Sequence, residues 1–149
     1  MSHLHDKIDF TVEVFVVYKN KVLLRKHDKY KKWLGVGGHI ELNEDPIQAA
    51  TREVKEEVGL DIKLDSKLKP NYNSDETDLI PPYYLNRHKI NNTHEHISFV
   101  YFAKSQTDKI KQGEKERSEE CKWFTKEELL KDKEITSSIK YYALKALEN

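Results

Sequence analysis

Glu53, Glu56 and Glu57 stand at i, i+3 and i+4 in the run Arg52-Glu53-Val54-Lys55-Glu56-Glu57-Val58-Gly59-Leu60. On an α-helix that spacing projects all three carboxylates from one face. An oxygen-only ligand set suits a hard divalent cation, Mg2+ first and Mn2+ as its substitute. Without a cation, like-charged neighbours on a helix cost only a few tenths of a kcal/mol per pair, so an acidic face alone is ordinary solvated surface. Arg52, next to Glu53, can hold that carboxylate in a ligating rotamer through a charge-assisted hydrogen bond.

The helix that must carry these residues is marked at both ends. Ile47, Ala50, Val54 and Val58 form an apolar stripe away from the glutamates, so the helix is expected to bury one face and present its carboxylates to solvent. Asn43 is the expected N-cap and Pro46 fits the first turn, where its missing N–H is not needed. Gly59 fits a left-handed C-terminal cap, with Leu60 supplying the accompanying hydrophobic contact. A Gly37-Gly38 pair leads into the segment.

From Gly38 the pattern runs through Glu44 to Arg52-Glu53-Val54-Lys55-Glu56-Glu57-Val58-Gly59-Leu60. It resembles the full box of the Nudix hydrolases, G-x5-E-x7-R-E-U-x-E-E-x-G-U, with every defined position filled. A weaker similarity extends from about Phe10 to about Leu130. The resemblance implies an α/β/α sandwich with a mixed β-sheet and metal-dependent hydrolysis of a diphosphate linkage in a nucleoside diphosphate joined to another group. It also implies Glu53, Glu56 and Glu57 as metal ligands and catalytic residues with Arg52, the backbone carbonyl of Gly37 as a further ligand, and Glu44 as a support for the loop or helix start. Val36 stands where many members have proline. Marker patterns of the coenzyme A, NADH, ADP-ribose and dinucleoside-polyphosphate subgroups are not evident. A nucleoside triphosphate, damaged or not, is the substrate expected by elimination. The alternatives are a nucleotide sugar, a dinucleotide, or a nucleotide-sensing module without turnover. The resemblance also admits a homodimer.

Other residues have two readings each. His39 can touch a phosphate or shape the turn after Gly38. Trp33 can stack on a base, but packing under the loop is the stronger expectation. The box does not fix a general base. Glu120 is the expected one, with Glu119 beside it, because such loops close over the site in relatives; Glu95 at a strand start is the competitor. His94 and His96 flank Glu95 and share one strand face, so a separate histidine metal site can be drawn there.

Around the box, the 149 residues fit one domain, 1–149. The 26 basic and 26 acidic residues balance, which argues against a general nucleic-acid or membrane surface. Cys121 is the only cysteine, so neither an intrachain disulfide nor a cysteine metal site is available. No apolar run is long enough for a signal peptide or a membrane span, and a cytoplasmic location is expected. Strands are expected over 10–18 and 22–25, over 61–68 and over 96–103, with a short one ending at Trp123-Phe124. Trp33-Leu34-Gly35-Val36 leads into the box. The stretch 69–93, with three prolines, and the charged stretch 105–120 read as loops. Thr125 opens a capping box, and a final helix covers 138–147. Strands before and after a helix, then a closing helix, give an α/β fold with both sheet faces covered.

Overall fold

The computed structural model describes residues 7–68, 71, 73, 75–113 and 120–149. Two long strands form the centre of the sheet, β1 (Ile8–Tyr18) and, numbered in chain order, β7 (Glu95–Ser105). They run parallel, in register from Ile8 opposite Glu95 to Val17 opposite Lys104. Each is too long for one partner on its other edge and takes two. β1 pairs with β4 (Val36–His39) along Thr11–Val14 and with β2 (Lys21–Lys26) at Val17–Tyr18. β7 pairs with β6 (Tyr84–Lys89) and β5 (Ile62–Leu64) in the same way. β3 (Trp33–Leu34) and β8 (Glu120–Thr125) flank β2. Every pairing except β1–β7 is antiparallel, so the sheet is mixed as expected.

Side-chain alternation splits β1 between two cores. Val12, Val14 and Val16 pack with Ala50, Val54 and Val58 of α1 (Pro46–Val58). Phe15 and Val17 face the other way, toward Leu129 of α2 (Lys126–Lys131) and Ile139 and Ala143 of α3 (Ser137–Glu148). Helices therefore cover both faces.

Several local expectations need correction. The N-cap of α1 is Asp45, which accepts from Gln48 N at 2.8 Å in a reciprocal capping box; Asn43 instead adopts a positive φ of 65° in the preceding turn. The strand expected over 61–68 is confined to Ile62–Leu64. The stretch 69–93 is not all loop, because β6 forms inside it. Gly59 does cap α1 at φ 69°, and Thr125 makes the anticipated capping box. Among the described residues no helix is long and apolar enough to cross a membrane.

Candidate active site

α1 crosses the sheet beside β4, so the Gly37-Gly38 entry lies directly against β1 and the glutamates. A side chain on Gly37 would collide with the carbonyl of Val12, and one on Gly38 would stand 2.5 Å from Glu53 Oε1. Gly37 is thus required by close packing, while Gly38 sets where the Glu53 carboxylate lies. The Gly38 contact has a testable consequence. Gly38→Ala should fold, because the end of the Glu53 side chain can move, yet turnover should fall at least about tenfold from misplacing that carboxylate. Unchanged kcat in a folded variant would remove Glu53 from the site.

Arg52 organises the acidic cluster. Its Nε and Nη2 donate to the two oxygens of Glu44 at 3.0 and 2.7 Å, a bidentate pair. Its Nη1 donates to Glu53 Oε1 at 3.0 Å and to Glu56 Oε2 at 3.2 Å, and Nη2 also reaches the carbonyl of His39 at 3.1 Å. The hydrogen bond from Arg52 holds the Glu44 carboxyl below the usual range, against its partial burial. Glu44 also accepts from Glu41 N at 2.9 Å and so ties the loop to the guanidinium.

The carboxylates are not all presented to solvent, contrary to the expectation from the helix pattern. Glu56 is exposed, but Glu53 retains 9% of its surface and Glu57 only 3%. Arg25 of β2 forms an ion pair with the buried Glu57. Gly38, without a side chain, lets the end of Glu53 lie directly against β4, which the apolar stripe did not indicate.

The donor set fits a hard divalent cation. Among the described residues, Arg25 and Arg52 bring two positive charges to four carboxylates, Glu44, Glu53, Glu56 and Glu57, two of them buried. Buried anions in excess of their counter-charges are costly. Beyond its ion pair with Arg25, the buried Oε2 of Glu57 makes no hydrogen bond among the described residues.

The remaining residues lie elsewhere. Trp33 is buried against Phe124, ring centroids 5.2 Å apart, and donates Nε1–H to Glu134 at 3.4 Å; it packs and is not presented for stacking. Glu95 receives both Nε and Nη2 of Arg87, at 2.5 and 3.1 Å, and that pairing holds its carboxyl low, which weakens it as a base. Glu120 opens β8 in register with Lys26, while Cys121 is in register with Arg25. Alternation therefore turns Glu120 to the sheet face opposite the Arg25–Glu57 pair. Glu119 lies outside the described residues. His39 is the last residue of β4 rather than a turn residue; its carbonyl meets Arg52 while its ring turns toward Asp9, with Nε2 3.4 Å from Oδ2.

On that second face, where a separate metal site was drawn on His94 and His96, the sequence showed neither Asp9, His39 and His88 beside them nor the state of Glu13. Asp9 is buried, and the rings of His39, His88 and His94 stand 5.1, 5.7 and 5.2 Å from that of His96. Burial, and then the neighbouring histidines, push the His96 imidazole down to about 4. Glu13, opposite Gly37, accepts from Gly35 N at 3.1 Å, and burial raises its carboxyl from 4.5 to about 7. The folded chain keeps that proton where the unfolded chain has lost it, so stability declines as pH rises from 4.5 toward 7 and then levels. Glu13→Gln, which keeps an acceptor for Gly35, should gain about 3 kcal/mol relative to the parent between pH 4.5 and 8. Denaturant unfolding at the two pH values checks this, and a pH-independent difference would contradict it.

Comparison with known proteins agrees with this geometry. The NUDIX domain family matches residues 9–145. A NUDIX-family hydrolase from Clostridium perfringens superposes with a TM-score of 0.85 at 38% identity, covering 94% of this chain and 96% of that one. A MutT NUDIX hydrolase from Burkholderia pseudomallei gives a TM-score of 0.65 at 21% identity, covering 95% and 97% of the two chains. The E. coli dihydroneopterin triphosphate pyrophosphohydrolase gives 0.68 at 17% identity, covering 96% and 99%. The last two, at their low identity, speak for the fold alone. With the family matched over nearly the whole chain and the box glutamates gathered around Arg52 and Arg25, this protein belongs to the Nudix hydrolases.

Proposed function

We propose that this hydrolase cleaves a diphosphate linkage in a nucleoside triphosphate, with Glu53, Glu56, Glu57 and the carbonyl of Gly37 as ligands of Mg2+ or Mn2+. The observation that carries the reading is the gathering of Glu53, Glu56 and Glu57 on one partly buried face, where carboxylates outnumber guanidiniums among the described residues. A divalent cation held there supplies positive charge against the diphosphate and makes a water more acidic. Arg52 keeps Glu53 and Glu56 in their ligating rotamers and, through Glu44 and the His39 carbonyl, fixes the loop to the helix. Arg25 orients Glu57 from the sheet side. Proton acceptance falls to Glu53 ahead of Glu120 and Glu95, because Glu120 faces away from the Glu57 pair and Arg87 engages both oxygens of Glu95, whereas Arg52 bonds Glu53 through Oε1. A conservative Glu120→Gln exchange should accordingly be mild.

A screen of nucleoside di- and triphosphates, nucleotide sugars and dinucleotides with Mg2+ tests the substrate class by release of phosphate or pyrophosphate. Fastest turnover is expected among the triphosphates. Faster cleavage of a nucleotide sugar or dinucleotide would replace that substrate. Binding without turnover across the panel would make the protein a nucleotide sensor.

A further inference from the structure

A buried carboxylate ringed by histidines, on the sheet face opposite α1, has no part in the reaction described above. Strand register builds it. The parallel β1–β7 pairing sets Asp9 beside His96, β4 brings His39 beside Thr11, and β6 brings His88 beside His96. His94, just ahead of β7, places Nε2 3.0 Å from Asp9 Oδ2. Asp9 is 2% exposed, so its carboxylate faces these imidazoles rather than water. One ligand atom from each of Asp9, His94 and His96 lies within 4.8 Å of the other two. Donors around a four-coordinate ion with bonds of about 2.0 Å stand about 3.3 Å apart, a separation that small side-chain rotations reach.

We propose that Asp9, His94 and His96 form a second cation site, distinct from the glutamates of α1 and suited to Zn2+ or a similar late first-row divalent ion. Two imidazoles and a carboxylate favour such ions over Mg2+, which prefers an all-oxygen shell. Among the described residues these are three ligands, and a four-coordinate ion takes one more donor, from the chain, water or a bound molecule. His39, whose side chain is partly exposed and stacks edge-on against His96, stands beside the trio. The alternative is a structural Asp9–His94 ion pair with no metal affinity, and the two readings part on metal binding alone.

Co2+ serves as the spectroscopic probe of the whole chain, because a four-coordinate nitrogen–oxygen site absorbs visible light far more strongly than a six-coordinate oxygen site. One equivalent of Co2+ should give the strong band in the parent protein, and Zn2+ should displace it. The band should persist in Glu56→Gln and Glu57→Gln. His96→Gln and Asp9→Asn, checked for folding by circular dichroism, should weaken Co2+ binding at least about a hundredfold. Zn2+ at a hundred times its Kd should raise the Tm of the parent by roughly 5 °C, a readout that needs no variant. The proposal fails if the parent shows neither the band nor the Tm rise. It fails equally if both vanish in the α1 variants but survive in His96→Gln.

Discussion

Glu56→Gln is expected to lower kcat at least about a hundredfold while leaving stability within about 0.5 kcal/mol of the parent. Glu56 is exposed, and its one described ion pair is the i, i+4 contact with Arg52, worth about 0.3–0.5 kcal/mol. Glutamine keeps the shape and an oxygen but removes the charge that a divalent cation requires. Nearly all of the loss should therefore appear in turnover. Steady-state kinetics at saturating Mg2+, with denaturant unfolding in parallel, separates the two effects. Parent-like kcat would remove Glu56 from the ligand set.

Arg25→Met should act mainly on stability, by about 3 kcal/mol. Arg25 and Glu57 form a buried pair, and removing the cation leaves a carboxylate uncompensated in the interior, the costly way to break such a pair. Methionine fills much of the arginine stem's volume, so lost packing contributes little. Added Mg2+ should restore more stability to this variant than to the parent, since the stranded Glu57 charge then gains another partner. Thermal unfolding with and without Mg2+ measures both. Parent-like stability would mean that Glu57 is not held by Arg25. A loss that Mg2+ does not reduce would separate Glu57 from the cation.

The chemistry of the box was legible because it is local. A three-residue spacing, a proline at one end and a glycine at the other define α1 without any long-range contact. The long apolar strands β1 and β7 were equally plain, since their residue types state burial directly. The depth of the glutamates was not legible. Glu53 is buried because Gly38 of β4 has no side chain to hold it off, and Glu57 because it meets Arg25 of β2, both contacts between separate elements. β6 escaped for a related reason. Tyr84-Leu85-Asn86-Arg87-His88-Lys89 has no apolar alternation, and it becomes a strand because the free edge of β7 pairs with it. Asp9 and His96 lie far apart in the chain and meet only through parallel pairing, for which neither residue carries a local signal. The cap at Asp45 rather than Asn43 is a shift of two residues, decided by which side chain reaches the Gln48 amide.

The most direct test of the central claim is the Mg2+ dependence of turnover on the best substrate from the panel, for the parent and for Glu56→Gln. The parent should fall to background in EDTA and recover fully when Mg2+ or Mn2+ is restored. Glu56→Gln should need a higher Mg2+ concentration for half-maximal rate and reach a plateau at least about a hundredfold lower. Full activity of the parent in EDTA, or identical Mg2+ titrations for the two proteins, would contradict a cation held by the glutamates of α1.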